Sequence, residues 1–312
     1  MRTTATAFAP CTAANLGPGY DLVGLALDGP GDTVTVTVEP ASEPRATLET
    51  VTADDGIDET PPATEDNSVV VASLATLRAA KVGAHARVEL HKGLPVGSGL
   101  GSSAASAAAS AYATNLAIGA PLRKAQLIMP CVEAEARVSG RHADNVAPAL
   151  LGGLVLVRSM DPIDAVRLPV PGGLRVAIIR PDLRVLTREA RAAVPRSVSV
   201  EDAISQAGNL ASFVAACYAG DLDLLGRCLH DAIGEPARIP LITGAHDAIR
   251  AMKGEGPLGA GVSGSGPTLY ALCRSRESAD ACARAALRAL ADNGVEATHF
   301  VSRADAPGVR EV

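Results

Sequence analysis

Residues 95–103, Pro95, Val96, Gly97, Ser98, Gly99, Leu100, Gly101, Ser102 and Ser103, run without a break into the small-residue stretch 104–111. Glycine opens backbone conformations closed to other residues, and an alanine-rich run is a strong helix former. A loop of this kind fused to a helix start gathers amide N–H groups at one point and reads as a phosphate cradle. It is not a Walker A loop, because no Lys follows the last glycine and the nearest basic residue, Lys92, precedes the loop. The helix dipole offers about half a positive charge, worth on the order of 0.3–2 kcal/mol, which does not by itself hold a nucleoside triphosphate. A divalent metal is therefore implied. Ser102 and Ser103 each offer a hydroxyl at the helix start, either as a ligand of Mg²⁺, which needs few protein donors, or as a helix cap.

The chain has 312 residues, 47% of them apolar, enough for one large or two medium domains, with two the better expectation. A net charge of −6 without a basic run, and 2% aromatic residues, supply neither a phosphate-backbone footprint nor a base-stacking platform, so nucleic acid is not expected as a partner. Six cysteines without a C-x-x-C pair suit reduced thiols in a cytoplasmic setting. The first ten residues lack the apolar core of a signal peptide. The most apolar window, 104–120, is interrupted by Ser106, Ser110, Thr114 and Asn115 and suits a buried helix better than a membrane span. Monomer and homodimer both stay open.

Alternation predicts strands over 33–38 and 84–90, and an apolar run predicts a third over 151–157. Helices are expected from 66 or 67 to 80, from the glycine loop to about 116, and from near Pro121 to about 138. In the second half a strand over 174–179 precedes helices over 187–193, 200–218, 221–229 and 241–252. Strands over 258–262, 268–273 and 297–301 follow, with a helix over 277–292 between the last two. The first half reads as α+β and the second resembles a split ferredoxin-like arrangement, with the weakest contact expected near 158–172. Residues 43–65, rich in Asp, Glu, Thr and Pro, read as an exposed excursion.

Three motifs lie in order along the chain. The first is Ala9-Pro10-Cys11-Thr12-Ala13-Ala14-Asn15-Leu16-Gly17-Pro18-Gly19-Tyr20-Asp21, the second is the glycine loop, and the third is Gly261-Val262-Ser263-Gly264-Ser265-Gly266-Pro267. In this order and spacing they resemble the signature motifs of the GHMP kinases, ATP-dependent small-molecule kinases, over essentially the whole chain. The resemblance implies a two-domain α+β GHMP kinase fold. Its N-terminal half (1–157) resembles domain 2 of ribosomal protein S5, and its C-terminal half (158–312) is ferredoxin-like. ATP is then the co-substrate, with Mg²⁺. Segments 133–140, 142–148, 187–191 and 235–238 narrow the resemblance to the members that phosphorylate the side-chain hydroxyl of L-homoserine, giving O-phospho-L-homoserine on the route to threonine. The galactokinase-type N-terminal signature is absent.

An acceptor of that kind carries an ammonium, a carboxylate and a primary hydroxyl. Asp21 suits the ammonium, Asn15 a neutral polar group, and Arg191 with Arg238 a carboxylate gripped in bidentate fashion. The resemblance makes Glu135 the acidic metal ligand opposite Ser103. Glu133, two residues earlier, points about 200 degrees around the helix and so cannot face the same ion. Phosphoryl transfer asks for position and charge stabilisation more than covalent work by the protein. Some GHMP kinases pair an Asp base with a first-motif lysine, which this chain lacks; the resemblance instead implies Asn145 and Thr187 near the acceptor hydroxyl or the γ-phosphate, and Asp144 as a positional or electrostatic group. Direct proton passage to the phosphate and a base role for Asp144 both stay open. His142 reads as a structural hydrogen-bonding residue, and Asn67 as either a helix cap or an adenine contact. The competing functions are another GHMP kinase acting on a carboxylated alcohol such as mevalonate or shikimate, and a non-catalytic nucleotide- and metabolite-binding regulator.

Overall fold

The computed structural model describes residues 3–312. Its first sheet has seven strands: β1 (Thr4–Asn15), β2 (Gly19–Pro40), β3 (Arg45–Ala53), β4 (Ala84–Lys92), β5 (Leu154–Met160), β6 (Ile163–Leu168) and β11 (Arg310–Glu311). The order is β11-β1-β2-β4-β3, and β5 joins the early part of β2 and pairs with β6. The 43–65 excursion is therefore only partly irregular. Thr47, Glu49, Thr50 and Thr52 alternate with Ala46, Leu48 and Val51, and β3 adds to β4 in parallel as an edge strand.

Four helices, α1 (Ser68–Ala80), α2 (Ser102–Ala117), α3 (Ile128–Val138) and α4 (Val146–Leu151), accompany this sheet. The third predicted helix begins later than Pro121, as a 3-10 turn over Lys124–Leu127 leads into α3. Asn67 caps α1 by accepting from Val69 N at 3.1 Å. The Ala and Ser content of α2 lets it lie close on β1 and β2 and against α1 and α3, buried on nearly every side. Deep in that space Ser110 Oγ lies 2.7 Å from Ser73 Oγ and donates to Val69 O at 2.6 Å.

The second sheet is β10-β7-β9-β8, all antiparallel, built from β7 (Arg175–Pro181), β8 (Gly259–Val262), β9 (Leu269–Cys273) and β10 (Ala297–Arg303). Between its strands run α5 (Thr187–Ala193), α6 (Val200–Ala219), α7 (Leu222–Cys228), α8 (Glu235–Arg238), α9 (Ala245–Gly254) and α10 (Arg276–Asp292). The fold is α+β, and this strand order is the ferredoxin-like one. Successive residues of β7 alternate between two cores. Val176 and Ile178 join the core shared with the first sheet, while Ala177 and Ile179 join one formed with α9 and α10. With both faces of the second sheet covered, the two halves share one continuous apolar core.

The division expected between 157 and 158 falls inside β5, and its hairpin partner β6 keeps the first sheet going to Leu168. We place the boundary in the 169–174 connection, with β11 returning the C-terminus to β1.

Beneath the glycine loop, Lys92 is 1% exposed and its ammonium pairs with Asp32 of β2. The same Nζ donates to Ser102 Oγ at 2.7 Å and Ser106 Oγ at 3.0 Å on the first two turns of α2. A buried pair of this kind is costly to break on one side only. Lys92→Met is expected to lower the unfolding free energy by about 3–5 kcal/mol in urea denaturation, and the double variant Lys92→Met with Asp32→Asn to recover most of that loss. Equal losses in the two variants would contradict the pairing.

Candidate active site

Three carbonyls of the glycine loop are bonded to the scaffold behind it. Thr268 Oγ1 donates to Ser98 O at 2.6 Å, Ser263 Oγ to Gly99 O at 2.9 Å and Thr12 N to Leu100 O at 3.0 Å. In a planar trans peptide the next N–H opposes the carbonyl, so the N–H groups of Gly99, Leu100 and Gly101 turn the other way. None of the three has a partner among the described residues. Gly101 has φ 65° and caps α2 with its backbone alone; a Cβ there would sit 2.1 Å from Thr12 Oγ1 and 2.8 Å from Asn145 Oδ1. The third motif and Thr268 just after it work from behind this loop: besides the Ser263 and Thr268 hydroxyls, Gly264 N donates to Ala14 O at 3.1 Å.

In front of the loop lies a cleft of about 630 Å³, in the roughly 300–1,000 Å³ range of small-molecule sites. Val96, Gly97, Ser98, Gly99, Gly101, Ser102 and Ser103 line it, whereas Pro95 does not and the Leu100 side chain is buried in the core. The two serines differ. Ser102 accepts from Lys92 and donates to Leu94 O at 3.1 Å, but Ser103 Oγ has no side-chain partner among the described residues. Asn67 also lines the cleft, yet its amide is engaged at both ends, capping α1 and donating to Pro62 O at 2.8 Å.

Glu135, on α3, is 2% exposed; Ser139 Oγ donates to its Oε2 at 2.8 Å, and its Oε1 is left without a partner. The Ser139 hydroxyl also lies 3.3 Å from His142 Nε2, and His142 Nδ1 faces Asp144 Oδ1 at 3.2 Å without an aligned hydrogen bond. Burial works against a charged His142 ring, but the Asp144 carboxylate and then the Glu135 charge outweigh it and push the histidine up to about 9. Thr12 Oγ1 donates to Asn145 Oδ1 at 2.8 Å, which fixes the Asn145 amide at the start of α4. Thr187 lines the same cleft from the first turn of α5.

Asp21 and Arg191 do not stand apart, as separate ammonium and carboxylate sites would. They face each other as a bidentate pair, Nη1 to Oδ2 at 2.8 Å and Nη2 to Oδ1 at 3.1 Å. Asp21 is held in the left-handed region at φ 55°, and its N–H donates to Asn15 Oδ1 at 3.1 Å. Arg238 is 4% exposed, donates to Gly264 O at 2.6 Å and stacks over the Tyr20 ring at 4.9 Å. Neither Tyr20 nor Lys92 was legible as part of the site, since each acts through a partner far away in sequence.

The short helix α8 carrying Arg238 is tied down at its start. Asp231 accepts from the N–H groups of Ile233, Gly234 and Glu235, and Glu235 Oε2 accepts from Val262 N at 3.2 Å.

The chain's first half matches the family description "GHMP kinases N terminal domain" over residues 67–153, and its second half matches "GHMP kinases C terminal" over 213–292. It is 38% identical to a homoserine kinase of Chlorobium phaeobacteroides, with 88% of each chain covered. It is 41% identical to a homoserine kinase of Arabidopsis thaliana, covering 86% of this chain and 74% of the relative. The crystal structure of homoserine kinase from Cytophaga hutchinsonii superposes with a TM-score of 0.93 at 38% identity, covering 100% and 98% of the two chains. The chain belongs to the homoserine kinases of the GHMP kinase family. In this GHMP kinase the three motifs meet at one place, the third bonding the back of the second while the first supplies Thr12, Asn15 and Asp21.

Burial raises Glu235 to about 7, against the Val262 N–H that favours the charged form. A carboxyl raised above its unfolded value contributes stability that is complete below the unfolded pKa and lost as pH rises through the folded one, here between about 4.5 and 7. Relative to the parent, Glu235→Gln should therefore gain up to about 3 kcal/mol between pH 5 and pH 8 in urea denaturation. Parallel pH profiles for the two proteins would contradict the assignment.

Proposed function

We propose that this chain transfers the γ-phosphoryl group of ATP to the side-chain hydroxyl of L-homoserine, giving O-phospho-L-homoserine, in the cleft in front of the glycine loop. One observation carries the reading. Six buried polar side-chain atoms lack a hydrogen-bond partner among the described residues, namely Ser98 Oγ, Glu135 Oε1, Arg191 Nε, Arg238 Nε and the facing but unaligned His142 Nδ1 and Asp144 Oδ1, and all six residues line this cleft. Buried polar atoms are satisfied in a folded protein, so an unmet set converging on one space marks where a polar ligand belongs.

The loop's free N–H groups and the α2 N-terminus receive the phosphates. Asp21 engages the acceptor's ammonium, and Arg191 and Arg238 its carboxylate. The Asp21–Arg191 pair orients both groups before substrate arrives, and an incoming zwitterion inserts its own opposite charges between them. Asn15 borders this slot, with its Nδ2 held by Gly264 O at 3.3 Å. Asn145 and Thr187 stand at the acceptor hydroxyl or the γ-phosphate.

The partnerless Oε1 of Glu135 and the free hydroxyl of Ser103 form a donor set that fits Mg²⁺, which completes its shell with phosphate and water. When bound, the ion neutralises charge on the transferring group. Asp144 faces a histidine that stays protonated to about pH 9, so we read it as an electrostatic and positioning group, with the hydroxyl proton passing directly to the phosphate. Six buried free cysteines support a cytoplasmic setting, and no helix among the described residues is long and apolar enough to cross a membrane.

An ADP-release assay with L-homoserine, mevalonate, shikimate and galactose tests the acceptor. Turnover is expected with L-homoserine, and Asp21→Asn should raise KM for it by about 10–100-fold while leaving KM for ATP within about twofold. Turnover confined to a carboxylated alcohol without an amine, or full activity of the variant, would overturn the reading; nucleotide binding with no acceptor turned over would favour a regulator.

A further inference from the structure

The polyphosphate of ATP needs more positive charge than the glycine loop carries. Lys92 cannot supply it, since its ammonium is spent on Asp32 below the loop, and Arg191 is spent on Asp21. Another cation does lie against the loop. Arg184, in the connection between β7 and α5, lays its side chain along Gly97: a Cβ built on that glycine would lie 3.1 Å from Arg184 Cγ and 3.4 Å from its Nε. Arg184 lines the cleft, is about half exposed, and is bonded through Nη1 to Glu59 Oε2 at 2.5 Å. Glu59 lines the same cleft and belongs to the irregular segment between β3 and α1, so the ion pair joins the chain's two halves across the mouth in front of the loop.

We propose that Arg184 is a nucleotide-positioning residue that exchanges Glu59 for the polyphosphate of ATP, and that the Glu59–Arg184 pair is the latch this exchange opens. No bond is made or broken beyond the ion pair: the guanidinium leaves one carboxylate and takes phosphate oxygens, and the Glu59 carboxylate returns to water. The driving force is chemical. An exposed carboxylate holds a guanidinium weakly, whereas phosphate offers several charged oxygens in a geometry the guanidinium fork matches. The inference rests on the reading that the loop receives the nucleotide's phosphates.

The test is calorimetric titration of the whole chain with AMP-PNP, ADP and adenosine in magnesium buffer, for the parent, Arg184→Ala and Glu59→Gln. Arg184→Ala is expected to weaken AMP-PNP by about tenfold or more and to leave adenosine within about twofold. Glu59→Gln is expected to tighten AMP-PNP by about threefold, because the competing carboxylate is gone, and to leave adenosine unchanged. An unchanged AMP-PNP affinity in Arg184→Ala, or an equal loss for adenosine, would overturn the assignment, and an unchanged or weaker affinity in Glu59→Gln would overturn the exchange. If the parent binds adenosine as tightly as AMP-PNP, the loop reading itself fails. If the parent prefers AMP-PNP strongly and Arg184→Ala keeps that preference, this inference alone fails.

Discussion

Three backward hydrogen bonds, from Thr268 Oγ1, Ser263 Oγ and Thr12 N to successive loop carbonyls, hold the site together. Each removes an acceptor from the open side of the loop and, through the planarity of the peptide, turns a donor toward it. Two of the donors come from the second half of the chain and one from the first, so the cradle exists only when both halves are docked. The apolar core shared across β7 and β9 enforces that docking, and the Lys92–Asp32 pair anchors the first turn of α2 to β2 and β4 beneath it. Gly101 is the steric condition for the arrangement, because any side chain there would occupy the space where Thr12 and Asn145 meet.

The remaining groups are set relative to that frame. Glu135 and Ser103 offer one free oxygen each on the helices that flank the loop, while Asp21, Arg191 and Arg238 build a slot of alternating charge beside it. The strongly polar contents of the cleft are tolerated because most are pre-paired: Arg191 by Asp21, Lys92 by Asp32, Arg184 by Glu59. Among the described residues the buried side-chain atoms without a hydrogen bond are few and confined to the cleft, which is where a ligand would return the missing hydrogen bonds.

Much of this was legible in the sequence because the information was local. The glycines, the alanine run and the Asn67 cap each announce their geometry within a few residues, and the element order of the second half carries its topology. Pairings between distant residues were not legible. Nothing near Asp21 indicates that Arg191 will meet it, and Lys92, legible only as the nearest basic residue before the loop, serves below it as half of an ion pair with Asp32 on another strand. The strand β3 was hidden in an acidic, threonine-rich segment because an edge strand has little apolar face to display. The helix α4 was missed because six residues with a proline give no usable period.

The forward-turned N–H groups can be observed directly. In ¹⁵N-resolved spectra of the whole chain titrated with AMP-PNP and magnesium, the amide protons of Gly99, Leu100 and Gly101 should move downfield together as the nucleotide saturates, because each acquires a charged phosphate acceptor. Saturation of the protein with these three amide protons unmoved would contradict the cradle, and with it the placement of every group built around it.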